Sequence, residues 1–89
     1  MKDDTRAIRE KKVNRLIEQW QRSVRAAVQG SRKDKGLTQE DAAERMAWTQ
    51  DIVSNIEAGR REISVAEFIV LAQQFDIEPE VMFRRVIRW

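Results

Sequence analysis

Between Gly36 and Arg61 the chain reads GLTQEDAAERMAWTQDIVSNIEAGRR, and no other stretch restricts its fold as much. Two apolar rows at helical spacing lie within it. Ala42, Ala43 and Met46 share one face of a first helix, and Ile52, Val53 and Ile56 share one face of a second. Thr38 is placed to cap the first, with Asp41 three residues on in capping-box position. Thr49 is placed to cap the second, and Gly59 to stop it. Isolated helices below about 12–15 residues are marginal in water, so neither of these can stand alone. They must bury their apolar rows against each other and against neighbours. Ala43 is small enough to let a crossing helix approach closely.

The rest of the chain supplies those neighbours. A single proline and three glycines in 89 residues suit an all-α fold. Val13, Ile17, Trp20, Val24 and Ala27–Val28 recur at three- and four-residue steps, with Leu16 beside them. They predict either one helix over 5–34, started by Asp3, Asp4 and Thr5, or two helices with a break near Gln21–Ser23 or Gly30. Ser64 and Glu67 form a second capping box, opening a helix over 65–75 with Val65, Phe68, Ile69, Leu71, Ala72 and Phe75 largely inward. Pro79 suits the first turn of a last helix over 79–87. With the pair at 39–46 and 50–57, five helices are expected. Ile8, Val13, Leu16, Ile17 and Trp20, together with Val86, Ile87 and Trp89, are surplus to one small core, and surplus apolar surface points to an interface.

Composition narrows the function. There is no cysteine and no histidine. The chain therefore has no disulfide, no Cys-based zinc site and no imidazole base, which points away from an enzyme, a metal or a cofactor. No signal peptide or membrane span is visible, which suggests the cytoplasm. Charge is distributed unevenly. Residues 1–36 carry 11 Lys and Arg against 5 Asp and Glu, a net of +6; residues 37–89 carry 6 against 10, a net of −4. Any positive charge offered to a polyanion comes mainly from the N-terminal segment and a few local arginines.

A short helix pair with a small residue at the crossing and a polar outer face on its second member is the helix-turn-helix pattern. The stretch resembles the Cro/repressor-like (XRE-type) helix-turn-helix proteins. The resemblance is carried by Arg32, Lys35-Gly36-Leu37-Thr38-Gln39, Ala43-Glu44, Ile56-Glu57 and Gly59, then by Leu71-Ala72 and Phe83. It spans about two thirds of the chain, from Val24 to Phe83. It implies a five-helix domain over 22–83 whose third helix enters the DNA major groove, with an N-terminal helical extension over 1–21 and a helical tail over 84–89. Three residues depart from the family pattern. Ser31 stands where a large apolar residue is usual, so the core there is shallower or is filled by Trp20 or Trp48. Ala47 stands where glycine is usual, at a left-handed position that costs an alanine about 1–2 kcal/mol, so the turn is expected to differ in detail. Trp48 stands in place of a smaller apolar residue and is expected to plug the turn.

The candidate residues follow from the periodicity and the resemblance together. If Val53 and Ile56 face the second helix, Gln50, Asp51, Ser54 and Asn55 face out. Gln and Asn can pair bidentately with adenine, and Asp51 can accept from cytosine N4 or simply complement the helix dipole. Gln39 and Thr49 sit at helix N-termini, where phosphates bind, and Arg60 and Arg61 resemble phosphate-contacting residues; the alternative for each is an ordinary solvated side chain. Arg32 and Glu57 match an ion pair that braces the first helix against the third in similar proteins, the alternative again being solvation of both. The resulting expectation is a sequence-specific transcriptional regulator that binds double-stranded DNA, a repressor-type homodimer. The competing expectation is a protein-interaction module on the same scaffold, an antitoxin or adaptor, using its N-terminal helix. That helix could be a dimerisation arm, a solvated extension or, less suitably given Glu10 and Glu18, a membrane-surface helix.

Overall fold

The computed structural model describes residues 2–87, with side chains from Asp4 onward. Five helices follow one another in the order α1 Lys2–Asp34, α2 Gln39–Met46, α3 Gln50–Glu57, α4 Val65–Gln74 and α5 Pro79–Ile87. No strand occurs among the described residues. The C-terminal part of α1 packs on α5 and α3, α2 packs on α3 and α4, and α4 packs on α5. Val28, Ile56, Leu71, Phe75 and Met82 fill the centre, and Ala42, Ala43 and Ala72 let the helices approach.

Helix α1 is unbroken through Gln21–Ser23 and through Gly30. It begins before Thr5, which therefore lies inside the helix and is not its cap. At about 1.5 Å per residue its 33 residues span about 50 Å, which accounts for the 53 Å long axis of the molecule. Contact with the rest of the molecule begins near Gln21, which bonds Glu62 at 2.7 Å, and full burial on α1 begins at Ser23. Before it, Ile8, Val13, Leu16 and Ile17 remain in solvent, and Trp20 is 40% exposed.

Both capping boxes are formed. Thr38 Oγ1 accepts from the Asp41 amide at 3.0 Å while the Asp41 carboxylate accepts from the Thr38 amide at 2.9 Å. Ser64 and Glu67 make the same reciprocal pair at 3.1 and 2.9 Å. Thr49 stands at the N-cap of α3, but its hydroxyl makes no capping bond. Ala47 is left-handed, with φ 54° and ψ 35°, so the turn between α2 and α3 keeps the conformation of a glycine despite its cost.

Three burial expectations are corrected. Val65 and Ile69 point outward, at 78% and 40% exposure, because the inward face of α4 is only as wide as Phe68, Leu71 and Ala72. Val86 is not surplus: it is buried as a core residue, whereas Ile87 stays half exposed and Trp89 lies outside the described residues. The space left by Ser31 is used neither by Trp20 nor as a void. Ser31 is fully buried, and its hydroxyl accepts a hydrogen bond from Arg85 at 2.9 Å while the same guanidinium nitrogen bonds Asp34. A polar tie from α5 to α1 thus replaces an apolar contact. Trp48 packs against the core at the turn, as a plug would.

Candidate nucleic-acid interface

The interface is built on a brace. Arg32 on α1 presents its guanidinium to Glu57 at the end of α3 as a two-pronged fork, Nε to Oε2 at 2.7 Å and Nη2 to Oε1 at 3.0 Å. A third bond, Nη1 to the Leu37 carbonyl at 2.7 Å, ties in the loop before α2. The side chains are 9% and 3% exposed, so the pair is shielded from water on both sides. Removing one partner alone would strand a buried charge.

The brace continues outward. Gln39, at the start of α2, donates from Nε2 to Glu57 Oε1 at 3.2 Å. Its own Oε1 accepts from Gln50 Nε2 at 3.3 Å. A continuous row therefore runs from Arg32 through Glu57 and Gln39 to the first residue of α3. It fixes the Gln50 amide from behind while using only one of its N–H groups, so Oε1 and the second N–H remain available for an adenine edge. Asp51 is exposed, and Ser54 and Asn55 are half-buried along the same outward side. The opposite side of α3 buries Val53 and Ile56.

Beyond α3 the loop is organised by Asn55. Its main-chain carbonyl accepts from the amides of Arg60 at 2.8 Å and Arg61 at 3.1 Å. Its side-chain Oδ1 accepts from Arg60 Nε at 2.9 Å. Gly59 makes the turn with φ 81°, and a side chain there would also strike the Arg25 guanidinium, 3.0 Å from where its Cβ would stand. The two arginines end differently. Arg60 is exposed, and among the described residues its side chain bonds a neutral amide and no carboxylate. Arg61 pairs with Glu67 at 2.7 Å and lies over the Trp48 ring, 5.3 Å from its centroid. The Arg61 guanidinium and the Ser64 amide hold the Glu67 carboxyl below its ordinary pKa. Glu40 and Asp41 at the start of α2 add negative charge nearby, and the Thr38 amide holds Asp41 below the usual carboxylate range.

Against known proteins, the helix-turn-helix family model HTH_3 matches residues 31–82, more than half of the chain. The chain belongs to the XRE-type helix-turn-helix family. Among solved structures, an XRE-family like protein from Pseudomonas syringae pv. tomato str. DC3000 has the same fold. It superposes with a TM-score of 0.77 at 20% identity, covering 84% of this chain and 92% of that one. No curated protein sequence matches the chain. As a helix-turn-helix protein the chain is a DNA-binding regulator in broad class, and α2 and α3 are its helix-turn-helix pair. No helix among the described residues is long and apolar enough to cross a membrane.

The structure bonds Gln39 to Gln50 and, separately, Asn55 to Arg60. It sets Arg61 aside against Glu67. Glu67 was legible as a capping residue, but its second partner was not, because the pairing depends on where the α3–α4 loop returns. Arg85 gave no signal at all; Ser31, at a position where the helix-turn-helix family prefers a bulky residue, was the only hint that something must come in from elsewhere.

Proposed function

We propose that the protein is a sequence-specific, repressor-type regulator that binds double-stranded DNA as a homodimer. The observation that carries this reading is the row Arg32–Glu57–Gln39–Gln50, which holds a bidentate-capable amide at the N-terminus of α3. In this reading Gln50, Asp51, Ser54 and Asn55 face base edges. Gln39, Thr49, Arg60 and Arg61 face phosphates, with Arg60 contributing most because the Arg61 charge is already balanced by Glu67. The uncapping hydroxyl of Thr49 suits a phosphate oxygen, and two recognition helices in a dimer would meet successive turns of one DNA face, about 34 Å apart.

The test is a binding titration of the full chain against random and selected duplexes over a range of salt. Tighter binding to selected sequence, with an affinity that falls linearly in log salt, is the expected result. No binding to any duplex at low salt would leave the second reading, a protein-interaction module of antitoxin or adaptor type. That reading draws its support from the net charge of −4 over residues 37–89, 6 Lys and Arg against 10 Asp and Glu.

A further inference from the structure

Where α1 leaves the body, an open groove of about 310 Å³ lies between that helix and the loop from α3 to α4. Ile17, Trp20 and Val24 of α1, Ile56 of α3 and Ile63 of the loop make its lining apolar. Gln21, Arg25, Arg61 and Glu62 also reach it. Three of these four are engaged: Gln21 donates to the exposed Glu62 carboxylate at 2.7 Å, and Arg61 pairs with Glu67 at 2.7 Å. Arg25 is not. It is half-buried, and among the described residues its side chain makes no hydrogen bond and no ion pair. Arg25 is nevertheless held in place. A Cβ built on Gly59 would stand 3.0 Å from its Cζ, 3.0 Å from its Nε and 3.2 Å from its Nη1. Near-equal distances to three coplanar atoms put that position over the flat face of the guanidinium, which therefore lies face-on against the bare backbone of the turn. Its N–H bonds lie in the plane and run past Gly59. No buried side-chain nitrogen or oxygen lacks a partner among the described residues, so the unbonded nitrogens of Arg25 all reach solvent.

A seated cation with open donors beside apolar walls is the composition of a ligand site: mostly apolar lining with a few placed polar groups. The walls select an apolar body. The guanidinium selects a planar anion able to take two parallel N–H bonds, which is the geometry of a carboxylate. The volume is at the small end of such sites and suits a single ring or a branched chain. We propose that this groove binds a small apolar acid, its carboxylate on Arg25 and its body against Val24, Ile56 and Ile63. Glu62 opposes an anion at the rim. It is exposed and bonded to Gln21, so water and salt screen its charge more than that of half-buried Arg25. The inference is independent of DNA recognition and of the oligomeric state.

The test is a titration of the full chain, followed by nuclear magnetic resonance at the amides of Val24, Gly59 and Ile63 and at the Arg25 Nε–H. The ligands are phenylacetate, 3-phenylpropionate and hexanoate, with phenylacetamide as the neutral counterpart and inorganic phosphate as the anion without a body. At least one acid should shift these signals saturably at millimolar concentration, and phenylacetamide should bind about tenfold more weakly than phenylacetate. Arg25→Met, which keeps the stem and removes the charge, should erase the preference for acid over amide. Glu62→Gln should tighten the acid and leave the amide unchanged. The amide spectrum of each variant reports its fold, and the acid-to-amide ratio of the wild type stands without any variant. Absence of saturable shifts with all three acids overturns the proposal, as do shifts that map away from the groove. Equal binding of acid and amide overturns the carboxylate, and a preference that survives Arg25→Met overturns the role of Arg25. Phosphate binding as tight as that of the acids overturns the apolar half of the site.

Discussion

The two parts of α1 obey the same sequence rule and meet opposite fates. Before Gln21 and after Arg22 the helix carries apolar residues on one face at the same spacing, without proline. After Arg22, Ala27, Val28, Ser31 and Arg32 are buried beneath α3 and α5. Before Gln21, Ile8, Val13, Leu16 and Ile17 are left about half exposed or more. The amphipathic pattern itself is continuous; the body simply ends. An apolar row therefore states that something covers a face, and its own sequence does not say whether the cover belongs to the same chain. The contrast extends to charge. The packed part of α1 holds two compensated charges, Arg32 on Glu57 and Asp34 on Arg85, while the charged side chains of the overhang from Asp4 to Glu18 are exposed.

The largest expected difference between the two regions is in stability. Glu57→Ala should cost about 3–5 kcal/mol in urea unfolding, because it leaves Arg32 charged and buried. The double variant Glu57→Ala with Arg32→Met should recover part of that loss. Ile17→Ala on the overhang, measured at a concentration where the chain is monomeric, should cost less than about 1 kcal/mol. Equal costs would mean that the overhang is packed on something within the monomer.

Within the body, the two ends of the α3 loop can be set apart by DNA binding. Gln50→Ala should lose about 1–3 kcal/mol of preference for a selected site while keeping most of its affinity for random duplex. Arg60→Ala should weaken both alike and flatten the salt slope by about 0.9. Arg61→Ala should change the slope less, since Glu67 already neutralises that charge. Asp51→Ala sharpens the assignment: loss of affinity marks a cytosine reader, and tighter binding marks a residue that only repels phosphate.

A smaller effect is expected where the regions share one helix. Nothing lies within 4 Å of a Cβ built on Gly30. Gly30→Ala should therefore raise stability by up to about 1 kcal/mol, read as a higher urea midpoint. A loss would mean that the helix needs freedom there. The smallest effect is that of pH. The Glu67 carboxyl has its pKa lowered by Arg61 and the Ser64 amide, and Asp41 by Thr38. Each contribution is present above the ordinary carboxylate pKa and is lost as pH falls through the lowered one. Stability should therefore fall on acidification below the usual Glu range, and Glu67→Gln should be less stable near neutrality but less sensitive to acid.

Local chemistry determined most of the elements from the sequence alone. The two capping boxes, the turn at Gly59 and the proline at the head of α5 each depend on neighbours within a few residues, and such interactions can be read in order along the chain; the left-handed Ala47 was not among them, since local cost alone argues against it. The Arg32–Glu57 pair was legible only through resemblance to a family, since 25 residues separate its partners. Tertiary structure alone decided the rest. It placed Arg85 on Ser31 and Glu67 on Arg61, turned Val65 and Ile69 outward, and drew Val86 into the core. These contacts depend on how helices cross and where loops return, and helical periodicity specifies which residues share a face but not what that face will meet.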